Sequence, residues 1–383
     1  MIFAADDPLR DTPKPTALFA AAASYCEANA WTSVNGWSVV RLFTSVEEEM
    51  RAVRSGAVIA DLGAIVRYAV RGEDAAEMLA RLTTAPAMRL KAGESARGLI
   101  LTDQGAVIDL AEVSRLSDEL FLLTTPHPHG RRMRLAARGF NVAYDDISAQ
   151  VAALGIFGPA ARETAAKTGV DLAGEGATAS GHVRGVETAA RSTQFGAVPG
   201  VELVFPREDA LTVWERLMRV EGVCPIGLDT LEVLRIESGA PRTGADFISA
   251  EHKITPHVRT PAALGLPHLA PLERGWFNGR RGLRGAAKPT RRLVALTLDT
   301  EEAAPGGAVL ADARPAGRIT TCAYSPAAKR VIAFADVAAA ALKYPLEVAA
   351  PPPAEERVRA ALLETPESAL ARDFLAMQKK STE

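Results

Sequence analysis

The stretch from Ser95 to Thr125 constrains the fold more than any other, because it sets three apolar runs apart by turn chemistry. Leu99-Ile100-Leu101 is followed by Thr102-Asp103-Gln104-Gly105, and Val107-Ile108-Asp109-Leu110 then resumes the apolar pattern. Gly105 can take the left-handed backbone that a short turn demands, and Asp103 can bond its own backbone. The flanking aliphatics suit a pleated, half-buried surface. Leu120 to Thr124, arriving after Ser117-Asp118-Glu119, adds a third strand, so the stretch predicts a meander with the Asp109 carboxylate at a strand edge. Successive residues of a strand face opposite sides, so Asp109 points away from Leu110 unless a bulge shifts the register.

Helical and strand signals surround this meander. Before it, Ala17 to Ala28 predicts an alanine-rich helix, Ser38 to Leu42 a strand, and Ser45 to Arg54 a charged helix with Ser45 and Glu48 as a capping box and Gly56 as its stop. Val58 to Leu62 and Val66 to Val70 read as strands, Glu73 to Leu82 as an amphipathic helix, and Gly130 to Arg138 as a helix crossing back. Beyond it, Leu154 to Phe157 and Val201 to Phe205 are predicted strands. A helix with Leu211, Trp214, Leu217 and Met218 on one face follows, and Asp229 with Glu232 is expected to cap another that ends at Gly239. From Arg291 the Gly/Pro-punctuated strands suggest a small barrel, Pro351-Pro352-Pro353 a hinge, and Ala354 to Lys380 two short helices split at Pro366.

The 383 residues suffice for two or three domains. A formal charge of −2 without a polybasic block speaks against nucleic acid or an anionic membrane as a partner, since both need a concentrated positive field. The start, Met1-Ile2-Phe3-Ala4-Ala5-Asp6-Asp7, has acids where a signal peptide needs bases, and no apolar run is long enough to span a bilayer. Cys26, Cys224 and Cys322 lie far apart, and read as reduced, mostly buried residues of a cytoplasmic protein. His127-Pro128-His129 is the densest histidine pair. No cysteine or regularly spaced third ligand accompanies it, so a loop with ordinary surface histidines is expected, with no metal site.

The meander, with its G-x-V-I-D and D-E-x-F-x-L segments, resembles the glycine cleavage T-protein (aminomethyltransferase) family, which binds tetrahydrofolate, and this chain looks like a divergent member. Further segments match in the same order: Leu154 to Ala161, Leu234 to Gly239, Arg274 to Arg280, and Gly317 to Thr321 with Tyr324-Ser325-Pro326. The resemblance covers roughly residues 35 to 345. It implies an α+β fold: a two-lobed folate-binding unit with antiparallel sheets over residues 1–285, its lobes interleaved as about 57–140 and as 1–56 with 141–285. A C-terminal β-barrel domain over 286–350 and a helical tail over 351–383 would follow.

The resemblance also implies a chemistry: one-carbon transfer between tetrahydrofolate and a methyl or aminomethyl donor. The family carries two consecutive aspartates in the meander, the second credited with positioning the one-carbon unit. Here Asp109 is followed by Leu110, leaving Asp109 as the candidate catalytic carboxylate. Glu202 matches the family glutamate that accepts hydrogen bonds from the pterin, and Arg97 and Thr124 are the further candidate folate-binding positions. Departures accumulate, since Arg97 stands for a tyrosine, Pro126 for an asparagine and Leu231 for an arginine. Gly63 and Ala64 replace a serine-histidine pair, and Arg274 to Arg281 lacks the cysteine signature of the related iron–sulfur-assembly proteins. Without the resemblance, Asp109 is read as capping a turn or pairing with Arg97, Glu202 as a solvent-facing residue, and Arg235 and Glu237 as ion-pairing between lobes. The rival function is therefore a non-catalytic module that binds folate or a protein partner.

Overall fold

The computed structural model describes residues 12–195, 198–251, 258–349, 357–370, 372 and 373. The acidic start, the expected hinge Pro351-Pro352-Pro353 and the tail from residue 374 lie outside the described residues. The chain forms two compact units, one of 1–69, 144–194 and 198–231, the other of 70–143, 195–197 and 232–383. Residues 232 onward thus group with the meander and the barrel, not with 144–194 and 198–231. The backbone gives the reason. Val107 donates its N–H to Arg259, and Ala250 donates to Val107, so the segment after residue 240 is tied to the meander hairpin.

The first unit is built on a six-stranded sheet in the order Thr178–Val183, Val186–Phe195, Val198–Pro206, Val151–Phe157, Val58–Asp61, Cys224–Pro225. Helices Ala161–Thr168 and Ala210–Met218 contribute Ala161, Ala165, Val213, Trp214 and Leu217 to the core that the sheet supplies with Ile59, Leu154, Ile156, Val201 and Leu203. In the second of these helices the inward face is Ala210, Val213, Trp214 and Leu217, while Leu211 is 56% exposed, contrary to the expected face. Helix Val46–Ser55 starts as expected, with the Ser45 hydroxyl accepting from the Glu48 N–H. The N-terminal helix is only Phe19–Ala23, and helix Leu228–Ser238 begins before Asp229, which pairs with Arg41 instead of capping.

The second unit holds the meander. Strands Glu94–Leu101, Val107–Arg115 and Leu120–Thr125 stand side by side in chain order. Gly105 sits in the hairpin turn at φ +82°, as its sequence context requires. The pairing runs regularly from Glu94–Arg115 to Ile100–Asp109 and then shifts, since Leu101 pairs with Val107. The bulge therefore lies at Ile108, before Asp109, and leaves Asp109 and Leu110 on opposite faces.

A closed six-stranded barrel fills the end of the chain, in the order Arg291–Leu298, Arg330–Ala338, Arg314–Ser325, Ala308–Ala311, Leu346–Ala349, Arg357–Leu362. The last strand falls where a helix was expected. Arginine, alanine and leucine favour helix locally, but pairing on one side with Leu346–Ala349 and on the other with Leu296 to Leu298 closes the barrel and outweighs that preference. Among the described residues no helix is long and apolar enough to cross a membrane, and the three cysteines are free and half-buried.

Candidate functional site

Five hydrogen-bond donors converge on the carboxylate of Asp109, which is fully buried. Oδ1 accepts from the Thr243 hydroxyl at 2.7 Å and from the Leu110 N–H at 2.9 Å. Oδ2 accepts from the His127 N–H at 3.2 Å and faces His127 Nδ1 at 3.1 Å and His129 Nε2 at 3.0 Å. Burial opposes the charge, but the hydrogen bonds from His127, His129 and Thr243 outweigh it and hold the carboxyl at about 2, below its usual 3.8. Asp109 is thus an anion at neutral pH, which requires that both ring nitrogens facing it carry hydrogens.

The meander explains how the histidines arrive. Glu112 pairs with Thr124, and continuing that antiparallel register three residues past this pair sets His127 opposite Asp109. Thr243 comes from a loop tied by Asp246, whose Oδ2 accepts from Arg235 Nη1 at 2.6 Å and from the Arg242 N–H at 2.7 Å. Gly244 follows at φ +82°, a conformation that permits the turn. His129 Nδ1 lies 3.6 Å from Glu251, which is also 3.6 Å from Arg132 Nε. The nitrogens aim at the carboxylate itself, and no metal-ligating cluster occurs among the described residues.

A cavity of about 530 Å³ opens beside this cluster, lined by Asp109, His127, His129, Thr243 and Glu251 with Arg131, Arg132 and the apolar Ile108, Pro128 and Ile248. The expected ordinary surface histidines are therefore corrected, since His129 is only 6% exposed and both close on Asp109. Asp109 does not pair with Arg97 either, because its row in the sheet is Ile100 and that of Arg97 is Glu112.

The other sequence-predicted residues stand elsewhere. Glu202 is 1% exposed, not solvent-facing, and is clamped between two guanidinia, with Arg67 on Oε1 and Arg191 on Oε2. Burial opposes its charge, and the Arg191 and Arg67 charges hold the carboxyl at about 2 against a usual 4.5. Both of its oxygens are engaged within the protein. Arg97 pairs with Glu367, which also faces His268 Nε2 at 3.2 Å. Thr124 is buried, its hydroxyl without a hydrogen-bond partner among the described residues. Arg97, Glu112 and Thr124 form one row across three strands, and strand alternation puts that row on the Leu110 face, opposite Asp109. Arg235 ion-pairs with Glu232 and Asp246 and reaches Thr321 of the barrel, while Glu237 accepts from Ser325, so both act within the second unit.

A family model described as the GCVT N-terminal domain matches residues 17–258, and one described as the glycine cleavage T-protein C-terminal barrel domain matches residues 291–367. The chain belongs to the glycine cleavage T-protein, or aminomethyltransferase, family. As a T-protein-family chain it is 31% identical to an aminomethyltransferase of Moorella thermoacetica over 317 residues, 79% of this chain and 84% of that protein. It is 30% identical to a probable aminomethyltransferase of Halobacterium salinarum over 282 residues, 70% of this chain and 76% of that one. Its fold matches the crystal structure of glycine cleavage system aminomethyltransferase T from Bartonella henselae with a TM-score of 0.81 at 19% identity, covering 93% of this chain and 98% of that one. The barrel match reaches residue 367 and so includes the final strand Arg357–Leu362.

Proposed function

We propose that this T-protein-family chain binds tetrahydrofolate and transfers a methyl or aminomethyl unit, with the cavity beside Asp109 as its centre. The observation that carries the reading is a buried carboxylate, ionised at neutral pH, bordering a cavity of ligand size. The lining fits the ligand. Ile108, Pro128 and Ile248 offer an apolar wall to a flat ring, and Arg131 and Arg132 suit the carboxylates of an anionic tail.

Bound tetrahydrofolate would supply the nitrogens that accept the one-carbon unit. The chain itself supplies a fixed negative charge. Asp109, locked by five donors, stabilises positive charge that develops in the cavity without having to reorganise. At about 2 it stays ionised and does not itself exchange protons near neutrality.

A second reading, a non-catalytic module for folate or a protein partner, draws on the Leu110 face and on Glu202, whose oxygens are already taken by Arg67 and Arg191. Methyl transfer from labelled donors to tetrahydrofolate under anaerobic conditions separates the two. Loss of transfer in Asp109→Asn with retention in Leu110→Asp supports the first reading. Folate binding without transfer from any donor supports the second.

A further inference from the structure

We propose that His127 is the proton-handling residue of this cavity and that Asp109 is its positioning partner. The inference takes its chemistry from the one-carbon-transfer reading, but its first test does not depend on that reading. Asp109 has no free acceptor site to offer a substrate. A carboxylate has about four lone-pair directions, and five donors already approach this one. A group saturated in this way orients its donors.

Of the two imidazoles, His127 is the one with access. Its side chain is 41% exposed and lines the cavity, whereas that of His129 is 4% exposed with its second nitrogen toward Glu251. Nδ1 of His127 is committed to Asp109, which fixes the tautomer and leaves Nε2 as a lone pair. The described residues offer Nε2 no hydrogen-bond partner. Residue 244 is a glycine, and a Cβ built there would stand 3.8 Å from Nε2, so the missing side chain keeps that approach open. Two further bonds hold the backbone in place, from the His127 N–H to Asp109 and from the Thr125 hydroxyl to the His127 carbonyl.

The arrangement is that of an activated base, an imidazole oriented by a carboxylate that is itself fixed by a third group. A proton from an N–H or O–H group in the cavity moves to Nε2, the imidazole becomes imidazolium, and the Asp109 charge balances it. The reverse delivers a proton to a leaving group. Among the described residues, the charged and titratable groups around this step are Asp109, His129, Glu251, Arg131 and Arg132.

Nitrogen-15 NMR of the intact protein labelled at histidine, with His127→Gln to assign the ring, reads the tautomer directly. The proposal expects the Nδ1–H form for His127 in the parent and its loss in Asp109→Asn. A His127 in the Nε2–H form, or one unchanged by Asp109→Asn, overturns it. As a second measurement, diethylpyrocarbonate acylates unprotonated, accessible imidazole nitrogens, so His127 is expected to react faster than His129, and equal protection of both refutes the assignment. In the transfer assay His127→Gln should cost about 10²-fold or more in turnover and remove one limb of the pH profile while tetrahydrofolate binding persists. Binding and turnover unchanged in that variant also overturn the proposal. Failure of the parent to bind tetrahydrofolate at all would instead strike the one-carbon reading and leave the tautomer result standing.

Discussion

Asp109 and Glu202 are two buried carboxylates held at about the same low value by opposite means. Around Glu202 the partners are full charges, Arg67 and Arg191, and all three side chains are buried. Around Asp109 they are two imidazoles, a hydroxyl and two backbone N–H groups, and a cavity lies alongside. The two carboxyls share a value but not a surrounding charge. A carboxylate between two guanidinia has its charge more than balanced by its own partners. One held by dipoles and imidazoles keeps a negative charge beside the cavity.

The largest effect should come from breaking the buried Glu202 cluster. Glu202→Ala strands two guanidinia in a dry interior and should cost about 3 to 5 kcal/mol in denaturant unfolding. A loss no larger than that of an exposed glutamate would contradict a buried ion triad at Glu202. Asp109→Asn keeps the shape and some of the hydrogen bonds, so about 1 to 3 kcal/mol is expected, alongside the loss of transfer.

Acid sharpens the contrast. Both carboxyls are depressed in the folded state, so the stability they contribute is present above their ordinary values of 3.8 and 4.5 and is lost as pH falls toward about 2. The Glu202 window opens at the higher pH because glutamate's ordinary value is higher. Unfolding free energy followed from pH 5 to 2 should therefore fall in the parent, and each of Glu202→Gln and Asp109→Asn should flatten its own part of the curve. The smallest effect is expected for Arg97→Ala, whose partly exposed pair with Glu367 should be worth about 1 kcal/mol or less in the same unfolding measurement.

Much of the scaffold was legible. The hairpin chemistry of Thr102 to Gly105, the Ser45 cap and the glycine stops placed strands and helices where the structure has them. The barrel was legible except for its last strand, because Arg357 to Leu362 is a helix former by composition and a strand only through its two neighbours. At the site, Asp109 was visible as a polar residue in an apolar strand, but its partners were not. His127 could have been found by extending the register of the hairpin that contains Glu112 and Thr124. Thr243 lies 134 residues away in sequence and Glu251 in the same distant segment, with no local pattern to tie either to the meander. The ion-pair partners of Glu202 were hidden for the same reason, since Arg67 is 135 residues from it.

The measurement that tests the account most directly is an anaerobic calorimetric titration of tetrahydrofolate into the parent, Asp109→Asn and Leu110→Asp. The account predicts micromolar binding to the parent, about −8 kcal/mol, at least about tenfold weaker binding to Asp109→Asn, and unchanged binding to Leu110→Asp. No heat at millimolar ligand, or equal affinity in the parent and Asp109→Asn, would contradict it.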